Sequence, residues 1–303
     1  MQTVMLNPAL AQLSLIFVYA AMAFYTLSFL LHVWHIAVAT SEKKSVRSGS
    51  SGAQKTALFV MGFAGLIHGA AVVMRGIAAH RVPWANMYEF SLSGSFIIVL
   101  IFMTALAVKE IRIIAGFVNG FALLVLGAAT TLFYVQVKTL APPLQSYWLV
   151  IHVTVAVLAT AFFNIAATLS IAYLLKGWSW LQKSKVFGTS LIRRVLKVFP
   201  SEEKLERLSY RFNVVGFILW SFTLLAGAIW AERAWHRYWG WDTKEVWTFI
   251  IWTLYAGYLH ANATRGWTGK RAVWLGLIGF AAVVFNFTIV NMFFKGLHVY
   301  SGL

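Results

Sequence analysis

Residues 148–175 read WLVIHVTVAVLATAFFNIAATLSIAYLL, 28 positions without one Asp, Glu, Lys or Arg. A run of this length and apolarity exceeds the ~20 residues that an α-helix needs to cross the hydrocarbon core of a bilayer. The composition of the whole chain agrees, since 60% of its 303 residues are hydrophobic and only 11% are charged. Soluble proteins are far less apolar. The sequence therefore predicts an integral membrane protein.

Similar apolar runs recur on both sides of this segment, and they predict about eight membrane-spanning helices. The first run is too long for the core of a signal peptide and lacks a basic leader, which favours a retained span. The seventh run is short, so we expect its first turn to lie in the interface. The predicted fold class is all-α, a polytopic membrane protein with one integral membrane domain over 1–303. The predicted spans are 10–38, 57–79, 90–108, 113–135, 148–175, 213–230, 246–262 and 272–294.

The basic residues set the expected orientation. The net charge is +16, and 18 of the 25 Lys and Arg residues fall in alternate loops, at 41–56, 109–112, 176–211 and 264–271. The positive-inside rule makes these loops cytoplasmic and places both termini on the outer, periplasmic side. This distribution explains the basic charge without nucleic acid as a partner. The largest cytoplasmic basic loop is 176–212, in which SEEKLERLSYRF predicts a short amphipathic helix on the inner surface.

Motifs of soluble enzymes do not occur in this sequence. The chain has no cysteine, so it provides neither a disulfide nor a thiolate. It also lacks a phosphate-binding glycine loop, a Gly-x-Ser-x-Gly elbow and a His-Glu-x-x-His metal site. Its chemistry must therefore rest on aromatic and histidine side chains.

Residues 230–247, WAERAWHRYWGWDTKEVW, hold five tryptophans in eighteen positions on the predicted outer face. Aromatic belts at membrane interfaces explain two or three of them, but five exceed what a belt needs. Asp242 and Glu245 have the spacing of a capping box, which is the structural alternative to a ligand-binding role for these carboxylates.

Three histidines have positions that suggest ligation. His152 lies just inside the outer end of the fifth predicted span, and His298 follows the eighth span on the same side. Either ring taken singly fits an amphipathic side chain at the interface, whereas the pair, flanking an aromatic platform, favours metal ligation. His260 lies roughly 27 Å along a helix from Asp242, near the inner leaflet. A histidine at that depth indicates a site unless it simply bonds a carbonyl or water near a helix end.

Haem is the ligand that fits these residue types best. Zinc needs a cluster of three or four protein ligands, and indole side chains are not zinc ligands. Haem takes axial imidazoles, apolar or stacking contact across its face, and cations for its propionates. Candidate cations on the outer face are Arg75, Arg81, Arg233, Arg237 and Lys244.

The other histidines have weaker signals. His32 and His35 lie low in the first span, near the expected depth of His260. His68 lies mid-span in GLIHGAA, where small neighbours predict close helix packing and an interhelical hydrogen bond. His80 is expected at the interface.

These segments resemble a known family. Residues 230–247 are similar to the tryptophan-rich WWD signature of haem-handling proteins, and the chain resembles the CcsA/ResC-type cytochrome c biogenesis proteins of the system II synthase. The resemblance covers roughly 60–303. It extends to VPWANMYEF at 82–90, SYWLVIHV at 146–153 and GLHVYSG at 296–302.

The resemblance implies that His152 and His298 are the axial ligands of a haem b presented on the outer face. It also implies that His260 is one ligand of a second haem site inside the membrane. The opposite inner ligand is expected from a CcsB/ResB-type partner subunit, with His32 or His35 as the alternative. The implied outer platform consists of Trp230, Trp235, Trp239, Trp241 and Asp242.

The implied function is haem transport and the attachment of haem to apocytochrome c at a Cys-x-x-Cys-His segment, as a holocytochrome c synthase (haem lyase) subunit. The expected location is the bacterial inner membrane with a periplasmic active face, and thioredoxin-like thiol reductants act indirectly. Catalysis would consist mainly of placement, so no general base is expected. The alternatives are a CcmC-like haem transporter without ligase activity, a di-haem b-type electron-transfer subunit and a structural scaffold.

Two positions depart from the family pattern. The family usually has Pro at the position of Thr243, where either residue suits the first turn of a helix. It usually has Gly at the position of His236. A histidine there adds bulk and a potential ligand, and we expect its side chain to face solvent.

Overall fold

The computed structural model describes residues 6–41, 52–107, 111–140, 144–179, 183, 186, 189–294 and 296–297. No strand occurs in that part of the chain. The long helices are α1 Pro8–Ser41, α2 Gly52–Ala79, α3 Met87–Leu106, α4 Ala115–Leu132, α5 Tyr147–Lys176, α6 Thr189–Val198, α7 Glu202–Trp235, α8 Thr243–Arg265 and α9 Lys270–Phe285. A π-turn, Asn286–Val290, and a last turn, Asn291–Phe293, extend α9.

The predicted fold class is confirmed. Within the described residues, seven helical segments are long and apolar enough to cross a membrane, and they correspond to seven of the eight predicted spans. The remaining span, 246–262, forms α8. This helix is not among those seven, since Thr248, Thr253 and Asn262 interrupt its hydrophobic residues.

The predicted surface helix at 201–212 is not a separate element, so that prediction was wrong. These residues form the first turns of α7, which continues unbroken for 34 residues from Glu202 to Trp235. Ser201 caps this helix by accepting from the backbone N–H of Lys204, and acidic residues in the first turn favour the helix dipole. Leu205 and Phe212 pack in the core, and neither glycine nor proline interrupts the helix between them.

The helices form two groups joined through α5. Helices α1 to α4 pack on one another, while α5, α7, α8 and α9 form the second group. The groups meet where α3 packs on α5. The segment after α7 lies at the end of the second group, so that group positions the tryptophan-rich residues.

Within the second group, α5 and α7 pack closely along their lengths. A Cβ on Gly216 would approach Cδ1 of Phe163 to 2.6 Å, which no real side chain tolerates. Because Gly216 has no side chain, the phenyl ring of Phe163 fits into the surface of α7. On its other side the Phe163 ring stacks on Tyr255 of α8, at 3.8 Å between centroids and 4° between planes. One aromatic side chain therefore ties three helices together.

The predicted interhelical hydrogen bond of His68 is confirmed. Its Nε2 lies 2.9 Å from the carbonyl oxygen of Leu92 on α3. Its Nδ1 lies 3.3 Å from the hydroxyl of Tyr25 on α1. Both ring nitrogens thus connect neighbouring helices, and this histidine is structural.

A buried ion-pair network holds the 82–90 motif against the bundle. Glu89 is fully buried and accepts from Nε of Arg75 at 3.1 Å, from Arg81, and from the backbone N–H of Ala85 at 3.0 Å. Arg75 is only 1% exposed and also donates to the carbonyl of Val135 at 2.8 Å. A buried carboxylate needs such partners, since an unpaired charge in the interior is very costly.

Helix α7 ends at His236 in the left-handed conformation, with φ +56° and ψ +35°. Its backbone N–H donates to the carbonyl of Glu232, the bond that closes a helix at this position. Glycine adopts this conformation without the steric penalty of a Cβ. The side chain of His236 is exposed, as expected.

Removing the charge of Glu89 should destabilise the protein without changing its shape. In Glu89→Gln, two buried guanidinium groups lose their counter-charge, and we expect a loss of about 3 kcal/mol and a lower Tm. Thermal unfolding of the detergent-solubilised protein measures this change. Glu232→Gln is the matched control, because Arg233 beside it is 66% exposed. An equal Tm for both variants would contradict the structural role of the network.

Restoring glycine at position 236 should stabilise the protein. His236→Gly removes the strain of a positive φ at a β-carbon and should contribute about 1 kcal/mol, seen as a higher Tm. Arg233→Gly, in the last turns of α7, should instead lower the Tm, because glycine weakens a helix interior. A decrease in both variants would show that His236 makes a contact that outweighs its strain.

Candidate functional site

A cavity of about 180 Å³ opens among α3, α5, α7, α8 and α9. The motif at 82–90 contributes Trp84 and Phe90, and the fifth span contributes His152. The tryptophan-rich segment contributes Trp230 and Trp239. Motifs that lie far apart in sequence therefore meet around one space.

His152 is held by α7 in an orientation that suits a ligand. Its Nδ1 lies 3.0 Å from the carbonyl oxygen of Thr223, and a carbonyl only accepts, so Nδ1 carries the proton. The lone pair of a neutral ring is then on Nε2. Metal-ligating histidines typically donate their other ring N–H to a carbonyl or carboxylate in this way.

The ring of His152 also packs against Trp230 and Gly227 of α7. It lies nearly parallel to the indole of Trp230, with centroids 5.8 Å apart and 16° between the planes. A Cβ on Gly227 would approach its Cε1 to 2.8 Å. The imidazole thus fills a notch in α7, as Phe163 fills the notch at Gly216.

The tryptophans divide into an inner and an outer set. Trp230 is 1% exposed and lines the cavity together with Trp239. Trp235 packs edge-on against Trp230 at 4.8 Å, and Trp241 stands at 90° to Trp239 at 6.0 Å. Trp241 is 76% exposed. The inner pair, Trp230 and Trp239, can contact a ligand in the cavity. The outer pair, Trp235 and Trp241, packs against the inner pair.

The predicted capping box at the start of α8 is confirmed. Asp242 Oδ1 accepts from the backbone N–H of Lys244 at 2.8 Å. Glu245 Oε2 accepts from the backbone N–H groups of Gly240 at 2.7 Å and of Asp242 at 3.1 Å. The two carboxylates therefore set the path of the loop that carries Trp239 and Trp241. Asp242 itself is not among the cavity-lining residues.

One end of the cavity is polar. Glu245 and Asn286 both line it, and each keeps a buried oxygen, Oε1 and Oδ1 respectively, without a hydrogen-bond partner in the described part of the chain. Buried polar atoms normally have partners. These orphan oxygens indicate an occupant that donates hydrogen bonds, such as water or a ligand group.

Lys244 supplies positive charge at this polar end. Its Nζ donates to the carbonyl of Asn286 at 2.9 Å and to Oδ1 of Asn291 at 2.7 Å. It precedes the predicted span 246–262, and burial lowers the pKa of its amine to about 7, partly opposed by the Asp242 carboxylate. The charge of Lys244 is thus present below about pH 7 and declines as the pH rises.

Of the five predicted cations, Lys244 lines the cavity and the other four do not. Arg75 and Arg81 are held in the buried ion-pair network described above. Arg233 is largely exposed. Arg237 lies across the backbone at Gly240, where a Cβ would collide with its guanidinium. The sequence predicted that these five cations share the outer face. Their burial and their partners in the structure decide which of them line the cavity.

His298 lies outside the described residues, although the residue before it does not. The backbone N–H of Leu297 donates to Oδ2 of Asp242 at 2.8 Å. Leu297, the last described residue, is therefore attached to the tryptophan-rich segment.

The inner histidines are not brought together within this chain. His260 is exposed on α8, which packs on α7 and α9. His32 and His35 are buried on α1, which packs on α2, α4 and α6, and Nε2 of His32 is buried without a hydrogen-bond partner in the described residues. The described residues contain no group of three or more His, Asp or Glu side chains arranged to hold a metal ion.

Sequence reasoning missed Thr223 and Gly227, which together orient His152. One signal was present, because Gly216 and Gly227 are 11 residues apart, the same separation as His152 and Phe163. This spacing corresponds to about three helical turns. Asn286 and Asn291 were also missed, and no local pattern distinguishes them from other polar residues near the end of a span.

Comparison with known proteins agrees with these motifs. Residues 84–298 match the cytochrome c assembly protein family. A cytochrome c biogenesis protein CcsA of Prochlorococcus marinus is 32% identical over 249 residues, covering 76% of this chain and 79% of the relative. A CcsA protein from another strain of that species, NATL2A, is 29% identical over 307 residues and covers 93% of each chain.

A solved structure shares the fold. The cytochrome c haem lyase CcmF superposes with a TM-score of 0.64 over 95% of this chain at 16% identity. This chain spans about half of that protein, 47% of its length. Such low identity demonstrates likeness of fold alone.

The family match covers most of the chain and includes every described motif that lines the cavity. The relatives are similar over more than three quarters of their own length. The chain therefore belongs to the cytochrome c assembly protein family, as a multi-pass membrane protein of cytochrome c maturation.

Proposed function

We propose that this chain binds haem b at its outer face between His152 and His298 and presents it for covalent attachment to apocytochrome c. The observation that carries this proposal is the hydrogen bond from His152 Nδ1 to the carbonyl of Thr223, 3.0 Å long. It leaves the lone pair on Nε2, in a ring that lines an aromatic cavity. Imidazole in that state is the usual axial ligand of haem iron.

The lining of the cavity suits a flat macrocycle with acidic substituents. Trp230 and Trp239 offer aromatic surface to the ring. Lys244 offers an ammonium group to a propionate, while Asn286 and Glu245 accept hydrogen bonds from water or from a protonated acid. Haem is the substrate of this site, and these residues bind and orient it.

Two imidazoles on opposite sides keep the iron six-coordinate and shielded from other ligands. In thioether formation the S–H bond of a cysteine breaks, sulfur bonds the vinyl carbon next to the ring, and the proton goes to the terminal vinyl carbon. The chain's task in this addition is to hold the vinyl edge where a Cys-x-x-Cys-His segment reaches it. The histidine of that segment then replaces one outer ligand.

The exposed position of His260 favours a haem site shared with a second subunit. Its side chain faces out of the bundle, so a histidine of a CcsB/ResB-type partner is better placed to complete the site than residues on α1. In this arrangement haem passes from the inner site to the outer one across the bacterial inner membrane. Apocytochrome c, kept reduced indirectly by thioredoxin-like proteins, receives it on the periplasmic side.

The outer ligands should control the haem spectrum. His152→Ala and His298→Ala should each convert ferric haem from low-spin to high-spin or lower its content, because one axial bond is lost. Added imidazole should restore the low-spin spectrum. Absorption spectra of the complex purified with its partner measure this change, and His236→Ala is the control, since that exposed histidine belongs to the tryptophan-rich segment. Unchanged spectra in both ligand variants would refute the outer site.

Covalent attachment distinguishes a synthase from a haem transporter that lacks ligase activity. The chain and its partner subunit, expressed with a c-type reporter, should yield haem that stays on the reporter after denaturation. The His152→Ala variant should lose most of this product. Free haem that reaches the outer side without any thioether product would favour transport alone.

Filling the notch at Gly227 should displace His152 without removing it. In Gly227→Ala, the new Cβ would lie 2.8 Å from Cε1 of the imidazole, so the ring must move away from α7. We expect lower haem content and a high-spin fraction, measured by absorption spectroscopy.

Two glycine variants serve as controls for that experiment. Gly216→Ala meets Phe163 instead, so it should lower the Tm but leave the spin state unchanged. At Gly257 a Cβ meets nothing within 4 Å, so Gly257→Ala should behave like the unmodified protein. A spin-state change in Gly216→Ala as large as that in Gly227→Ala would mean that helix separation, and not His152, sets the spectrum.

A further inference from the structure

The cavity extends along one face of α5. Leu149, Val153, Ala156 and Thr160 line it, and their spacing places them on successive turns of the same helix face. The helix rises roughly 16 Å from Leu149 to Thr160. The cavity therefore reaches from the end of α5 to the middle of that helix, inside the membrane-spanning part of the bundle.

The polarity of the lining changes along this length. Near the helix ends the lining includes Lys244, Glu245 and Asn286. Deeper in the bundle it is mostly apolar, with Ala156 of α5 and Leu224 of α7. An amphiphile in a bilayer has the same arrangement, because its charged groups stay at the interface while its apolar part lies in the hydrocarbon. A flat ligand with carboxylates can thus pass from lipid into this cavity without turning over.

Side chains close the side of the cavity that lies between α3 and α9. Both helices are fully described and pack on α5, but they have little backbone packing on each other. Phe90 of α3 and Phe287 of the π-turn bridge the space, with ring centroids 5.1 Å apart and 30° between the planes. Both rings line the cavity. The cavity is therefore closed here by a contact between two rings and not between two helix backbones.

The apolar outer surface of the bundle continues up to this ring pair. Val284 precedes Phe287 by one turn of α9 and is 42% exposed. Gly94 follows Phe90 by one turn of α3 and is half-buried. A Cβ on Gly94 would come no closer than 4.0 Å to Phe90 or to Val157, so space remains beside the Phe90 ring. Apolar side chains exposed on a membrane-spanning bundle contact lipid, so the ring pair lies between lipid and cavity.

The backbone on the α9 side of the pair is held in place. Lys244 Nζ donates to the carbonyl of Asn286, at the start of the π-turn, and to Oδ1 of Asn291 just after its end. Turns of this kind are frequent at functional sites. Side-chain rotamers change much faster than helices move, so the ring of Phe287 can swing aside while the turn itself stays fixed.

We propose that Phe90 and Phe287 form a lateral gate through which haem enters the outer cavity from the lipid bilayer. This inference rests on the proposed function and specifies the route by which haem reaches the outer site. Haem in the membrane keeps its propionates at the interface, so they meet Lys244 as the ring passes between α3 and α9. The two phenyl rings move aside for the macrocycle, and no pair of packed helices has to separate.

A pair of cysteines tests the gate, because the chain has no cysteine of its own. In Phe90→Cys/Phe287→Cys, a short reducible linker between the two thiols should hold α3 to α9. The complex with its partner subunit, purified without haem and reconstituted in lipid vesicles, then receives haemin dissolved in the vesicle lipid. The His152-dependent low-spin spectrum should appear more slowly by about tenfold than when each thiol is capped separately, because the linked gate limits entry. Reduction of the linker should restore the rate.

Phe24→Cys/Phe63→Cys is the matched control. The rings of Phe24 and Phe63 bridge α1 and α2 at 4.9 Å between centroids, and neither ring lines the cavity. A linker at these positions should leave the loading rate unchanged. A second comparison needs no linker: Phe90→Ala removes half of the gate and should speed loading, whereas Phe63→Ala should not.

The outcomes separate the gate from the proposed function. Equal loading rates for the linked and the capped Phe90→Cys/Phe287→Cys protein would overturn the gate and leave the outer haem site standing. Slow loading in both linked pairs would also overturn the gate, because a general loss of motion in the bundle then explains the result. A haem spectrum that does not depend on His152 in any variant would overturn the proposed function, and the gate with it.

Discussion

The site depends on the antiparallel packing of α5 against α7. Two glycines on α7 form notches three turns apart, and two aromatic rings on α5 with the same spacing fill them. Phe163 fills the deeper notch, at Gly216, and His152 fills the outer one, at Gly227. Because interiors are close-packed, the apolar pair sets the distance between the helices at which the imidazole fits its own notch. A packing contact in the membrane thus fixes the orientation of a proposed ligand at the surface.

The tryptophan-rich segment combines two kinds of residue that the sequence does not distinguish. Trp230 and Trp239 reach the cavity, whereas Asp242 and His236 shape the backbone that carries them, and Glu245 does both. The positive φ at residue 236 is a conformation that favours glycine, because the chain leaves α7 in a left-handed turn before α8 begins. Several residues of this segment therefore serve the turn between α7 and α8. That turn positions the tryptophans that line the cavity.

Buried charge has a similar supporting role on the other side of the cavity. The motif at 82–90 contributes Trp84 and Phe90 to the lining, and Glu89 secures that motif to Arg75 and Arg81. Those arginines are consequently unavailable for a propionate. The positive charge at the cavity comes from Lys244, which is also bonded to the end of α9.

The sequence by itself determined the all-α membrane class, the approximate positions of seven spans and the capping box at Asp242. Each follows from local information: apolar length, residue spacing and the chemistry of a single side chain. Only the tertiary structure decided which tryptophans reach the cavity, which cation lines it, and that the first turns of α7 pack inside the bundle. It also decided that Asp242 accepts a hydrogen bond from the backbone of Leu297. These facts depend on contacts between residues far apart in the sequence, such as the hydrogen bond between Asp242 and Leu297, 55 positions apart. No local pattern encodes such contacts, because they form only when helices distant in sequence pack together.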